Sequence, residues 1–145
     1  PVAVHDKENS VPQLKELRGD LVFPIDIPGN ATAGTADEWP AMVAPFNMKI
    51  TGVKWVPSAA ITAHATNFFT LTLRNRTTGA GTALPAQRSY AATNGVAFAA
   101  ESCTLSSTAA DLLVAAGDTL SVEKLVGGTG LAMPKGAVQI HAQAR

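Results

Sequence analysis

The sequence predicts an all-β protein, an antiparallel sandwich or barrel preceded by an extended N-terminal arm. Three observations lead there. Apolar residues alternate with polar ones at a period of two in several runs; turn-forming clusters of Gly, Asn, Asp and Pro recur along the chain; and beyond residue 18 no stretch has a sustained helical period. At 145 residues the chain is long enough for one domain with its own core. Residues 1–18 are expected to be the arm and residues 19–145 a single β-sandwich domain.

The first run, Leu21–Ile27, places Leu21, Phe23, Ile25 and Ile27 on one face, and Val22, Pro24 and Asp26 on the other. Pro24 has no N–H to give a ladder, so this strand is expected at a sheet edge. Residues 28–45 read as a loop in which Asp37, Glu38 and Trp39 stand out. The two carboxylates are expected to be solvated, and Trp39 to plug one end of the sandwich or anchor an interface.

The stretch Met48–Arg76 is the expected centre of the core. Phe69, Leu71 and Leu73 share a face, with Thr70, Thr72 and Arg74 opposite. In the preceding run Met48 and Ile50 have one parity while Val53 and Trp55 have the other. That slip of phase at Gly52 predicts a β-bulge. A turn cluster at residues 77–82 leads to a strand over residues 84–92. Asn94-Gly95 is the strongest hairpin signal in the chain, with Val96–Ala100 expected to return as a strand. Cys103–Leu105 is expected either to continue that strand or to begin another, followed by an apolar run over residues 109–115 and a turn at Gly117-Asp118. Leu120 and Val122 alternate with Ser121 and Glu123. After the Gly127–Gly130 break, a last strand has Val138 and Ile140 inward and Gln139 and His141 outward.

Residues 1–18 are charged and sparsely apolar. Pro12 begins a possible short helical turn with Ser10 as its cap, too short to be stable alone. The segment either is a frayed terminus or docks on a surface, its own domain's or a neighbour's. Val2, Val4, Val11, Leu14 and Leu17 argue for docking, and with Trp39 they are the candidate contact residues.

Composition excludes several function classes. Eleven basic residues balance eleven acidic ones, so the chain has no general attraction for nucleic acid or an anionic membrane. Its low charge density suits a protein that lives packed against others. The single cysteine, Cys103, rules out an intramolecular disulfide or a thiolate metal cluster, and its surroundings predict a small buried hydrophobe. No signal-peptide pattern opens the sequence and no apolar run is long enough for a membrane span, so synthesis in a cytoplasm is expected. His5, His64 and His141 lack partners at metal-ligand spacing. The Gly128-Thr129-Gly130 run lacks the Lys-Ser/Thr pair and helix of a phosphate loop, and no nucleophile elbow is present. Lys49, Lys54, Arg74, Arg76 and Arg88 read as solvent-side charges. No catalytic, cofactor-binding or metal-binding residues are assigned, and an enzyme is not expected.

The order of motifs resembles that of the small capsid decoration proteins of tailed bacteriophages, also called head-stabilising or cement proteins. The matching segments are Val53–Pro57 (VKWVP), Ala65–Leu73 (ATNFFTLTL), Asn94–Val96 (NGV), Val114–Leu120 (VAAGDTL) and Gly127–Gly136 (GGTGLAMPKG). The resemblance spans roughly residues 46–142; residues 1–45 lie outside it. It implies an antiparallel, jelly-roll-like β-sandwich bound to the outside of the mature icosahedral head, acting after shell expansion. Its implied partners are the major capsid protein and itself, as a homotrimer or another oligomer, with no cofactor. The rival expectation is a tail-tip or spike module recognising a host surface glycan, against which the few aromatics count: two Trp and one Tyr. An enzyme with an unrecognised site ranks third.

Overall fold

The computed structural model describes residues 19–77, 81 and 83–145. Among the described residues ten strands, all in antiparallel pairs, form two sheets that face one another. In chain order they are β1 (Leu21–Ile27), β2 (Asp37–Val43), β3 (Met48–Pro57), β4 (Phe68–Asn75), β5 (Ala83–Ser89), β6 (Glu101–Ser102), β7 (Thr104–Leu105), β8 (Leu113–Val114), β9 (Thr119–Gly127) and β10 (Gly136–Ala144). A 3₁₀ turn, Ala109–Leu112, precedes β8. One sheet runs β1-β10-β3-β6, with β8 also paired to β3; the other runs β2-β9-β4-β5-β7.

The expected all-β sandwich is what forms, and the reason lies in the alternation. Phe69, Leu71 and Leu73 from β4 are buried with Leu120 and Val122 from β9. Against them pack Met48, Ile50, Val53 and Trp55 from β3 and Val138, Ile140 and Ala142 from β10. All four β3 residues are buried despite their two parities. The ladder explains how: Gly52 pairs with His141 and Ile50 with Ala142, so Thr51 is the extra residue of a bulge that restores the inward face. As Pro24 requires, β1 pairs only with β10 and forms an edge. The connector from β3 to β4 crosses between the sheets, and Ile61 within it is buried. Cys103 is also buried, where the chain passes from β6 in one sheet to β7 in the other.

Three expectations are corrected. The segment read as a loop contains β2, an edge strand paired with β9 and interrupted by a register shift between Pro40 and Met42. Asn94-Gly95 makes no hairpin. Neither residue has the positive φ of a type I′ turn, and Gly95 instead forms an isolated antiparallel bridge with Ile61. A Cβ at Gly95 would stand 2.9 Å from the Tyr90 ring, so close packing is the reason for glycine here. Residues 96–100, expected as the returning strand, form an irregular loop.

Candidate interaction surface

Where the chain would have turned into a hairpin, it exposes an aromatic side chain. Ala99 N–H donates to Val96 O (3.2 Å), closing a turn with Phe98 at its third position. There φ is +57°, and Phe98 is the only non-glycine with positive φ among the described residues. A turn with positive φ at that position ordinarily takes Gly or Asn. Placing Phe there costs about 1–3 kcal/mol of backbone strain. Burial does not offset that cost, because Phe98 is 78% exposed and its neighbour Val96 is 62% exposed. The conformation is fixed from below: Phe98 N–H donates to Pro57 O at the end of β3 (2.8 Å).

Beside Phe98 lies an open concavity of about 590 Å³. Its apolar wall comes from Ile27 and Pro28 at the end of β1, Val56 of β3 and Ala137 of β10. Two exposed charges of opposite sign, Asp26 and Lys135, also line it, and neither is in an ion pair among the described residues. The surface is therefore an apolar ridge next to an apolar groove, with one acid and one base still free to pair.

The loop carrying the ridge is braced by a polar cluster inside the protein. Trp55 Nε1–H donates to Tyr90 Oη (2.9 Å), and Tyr90 Oη–H donates to Glu101 Oε2 (2.5 Å). Arg88 Nη2 pairs with Glu101 Oε1 at 2.6 Å and also donates to the carbonyls of Thr93 and Asn94 (3.3 and 3.4 Å). The guanidinium lies 4.4 Å from the centre of the Tyr90 ring, a cation–π contact. Burial raises the Tyr90 phenol well above its ordinary range, and the Glu101 carboxylate raises it further. Burial likewise pushes the Cys103 thiol up to about 12, so it is no thiolate nucleophile at neutral pH.

The sequence had placed Arg88 on the solvent side; it is instead this brace, with a side chain 14% exposed. Glu38 was expected to be solvated. It lies in β2, bound by Arg76 and by Ser121 Oγ–H (2.6 Å), and the Arg76 hydrogen bond holds its carboxyl below the usual range. Arg74 pairs with Glu123 at 3.2 Å on the same outer face. Trp39, opposite Val122, packs partly buried against the core from the edge strand β2. Val2, Val4, Val11, Leu14 and Leu17 lie outside the described residues.

His64 Nδ1 accepts from the Thr66 and Asn67 N–H groups, and His141 Nδ1 stands 3.4 Å from Asp20. Among the described residues no group of three or more His, Cys, Asp or Glu is arranged to hold a metal, and no helix is long and apolar enough to cross a membrane. Comparison with protein-family models, with curated proteins and with solved structures found no match.

Sequence reasoning missed Phe98 as a display residue. Val96, Phe98 and Ala100 at alternate positions look like one face of a strand, and nothing local reveals the positive φ that turns Phe98 outward.

Proposed function

We propose that this protein is a non-enzymatic interaction module whose work is done by surface contact. The observation that carries this reading is Phe98: a strained, exposed aromatic beside an apolar groove costs the lone molecule free energy, which only a bound partner returns.

Within that class, the reading best supported is a capsid decoration protein of a tailed bacteriophage. It would bind the outer surface of the mature head as a homotrimer or another oligomer and stabilise the shell by bridging capsomers. Support comes from the run of motifs Val53–Pro57, Ala65–Leu73, Asn94–Val96, Val114–Leu120 and Gly127–Gly136, joined to a balanced charge. Bridging works by linkage: a ligand that binds the expanded shell and not its precursor shifts the equilibrium toward the expanded form. Several weak contacts on one oligomer add through effective concentration. An extended segment of 18 residues reaches roughly 60 Å, so residues 1–18 are suited to span from one capsomer to the next.

The test is binding of purified protein to expanded phage heads that lack it, imaged by cryo-electron microscopy. Regular density at symmetry-related sites is the expected result. Bare heads, with the protein on the tail or free, would overturn the decoration role and favour the glycan-binding reading.

A further inference from the structure

We infer that the Phe98 ridge and its neighbouring groove are where copies of this chain meet, the ridge of one copy seating in the groove of the next. This deepens the reading above by assigning the surface that joins the oligomer.

Three features of the surface select a second copy as occupant. Knob and hole lie side by side on one molecule and are of one chemistry: Phe98 and Val96 project, while Ile27, Pro28, Val56 and Ala137 line the hollow. At about 590 Å³ the groove has the size of pockets that enclose drug-sized molecules, so Phe98 at its margin leaves room for a second aromatic side chain. The groove also carries one acid, Asp26, and one base, Lys135, neither of them in an ion pair among the described residues. A copy of the same surface supplies the missing partner to each, whereas an acidic or basic partner would satisfy one and repel the other. The chain's zero net charge adds no repulsion between copies. Because knob and hole lie side by side, two copies that exchange them reciprocally make a self-complementary, two-fold contact in which the Asp26 of each faces the Lys135 of the other.

The strain at Phe98 supplies a test with two readouts that move in opposite directions. Asn tolerates the left-handed conformation better than Phe does. Phe98→Asn in the full-length protein is therefore expected to leave the melting temperature of the dilute, dissociated chain unchanged or higher. The same substitution should raise the dissociation constant of the oligomer at least tenfold in sedimentation equilibrium, as loss of an aromatic hot spot does. A second arm uses charge. Asp26→Lys and Lys135→Asp should each weaken association, and the two together in one chain should restore it.

A wild-type protein that stays monomeric at concentrations of about 100 µM would overturn the inference, since useful self-association is tighter than that. So would an oligomer whose dissociation constant ignores both Phe98→Asn and the charge reversals. Binding to empty heads separates the two readings. A monomer that decorates heads refutes only the assignment of this surface, and a Phe98-dependent oligomer that ignores heads refutes only the decoration role.

Discussion

Glu101 is the joint on which the braced loop depends, and replacing it with Gln tests the whole cluster. The substitution keeps the shape and removes the charge. Arg88, 14% exposed, would then stand beside Tyr90 without its counter-ion, and Tyr90 Oη would lose a charged acceptor. Removing one partner of a buried pair costs about 3–5 kcal/mol. Partial exposure and the amide oxygen that Gln retains bring the expected loss to about 2–3 kcal/mol.

Urea unfolding measures that loss, which corresponds to a midpoint shift of roughly 1–2 M. Adding Arg88→Met to Glu101→Gln should recover part of it, because the orphaned cation is gone, giving a coupling energy above about 1 kcal/mol. The chain has one tyrosine, so phenolate absorbance reports Tyr90 alone. Burial, then Glu101, raises its folded pKa. A group raised on folding contributes stability that is whole below its unfolded pKa, about 10 for Tyr, and is lost as pH climbs from there toward the folded value. In wild-type protein the phenolate should therefore appear together with alkaline unfolding. In Glu101→Gln it should appear at lower pH. A loss under about 0.5 kcal/mol, additive double mutants, or a folded protein whose tyrosine titrates near 10 would refute the reasoning.

Three other outcomes are expected. Lys124 is a buried cation whose Nζ donates to the carbonyls of Thr32, Ala33 and Asn30 (2.7, 3.2 and 3.4 Å). Lys124→Met, which takes this charged donor from all three while Thr32 O and Asn30 O keep the N–H groups of Thr35 and Met133, should cost about 1–2 kcal/mol in thermal or urea unfolding at neutral pH. Burial lowers the Lys124 pKa from 10.5, so between that lowered value and 10.5 the unfolded chain holds more proton, and wild-type stability should gain on the Met variant as pH rises through that window. Gly128→Ala should cost more than about 3 kcal/mol, because φ is +59° and its Cβ would lie 2.2 Å from Thr66 O; Gly52→Ala, with only His141 Cβ at 3.8 Å, should change the melting temperature little. Deleting residues 1–18 should leave the sandwich folded by circular dichroism while weakening its binding to expanded heads; unchanged affinity would remove the arm from the contact.

The fold was legible in the sequence wherever a feature depends on neighbours along the chain. Period-two alternation over Phe69–Leu73 and Val138–Ile140 states which face is buried, since successive strand residues point opposite ways. The change of parity between Ile50 and Val53 announced the bulge, and the missing N–H of Pro24 announced the edge. Chemistry that depends on which strands lie side by side was not legible. Lys124 finds its carbonyls more than 90 residues away, and Arg76 meets Glu38 across β2, β9 and β4. Asn94-Gly95 carried a true local preference for a turn, and tertiary packing against Ile61 and Tyr90 overrode it. Phe98 shows the same limit: its exposure follows from a backbone angle held by Pro57 O, a contact that exists only once β3 and the 94–99 loop have met.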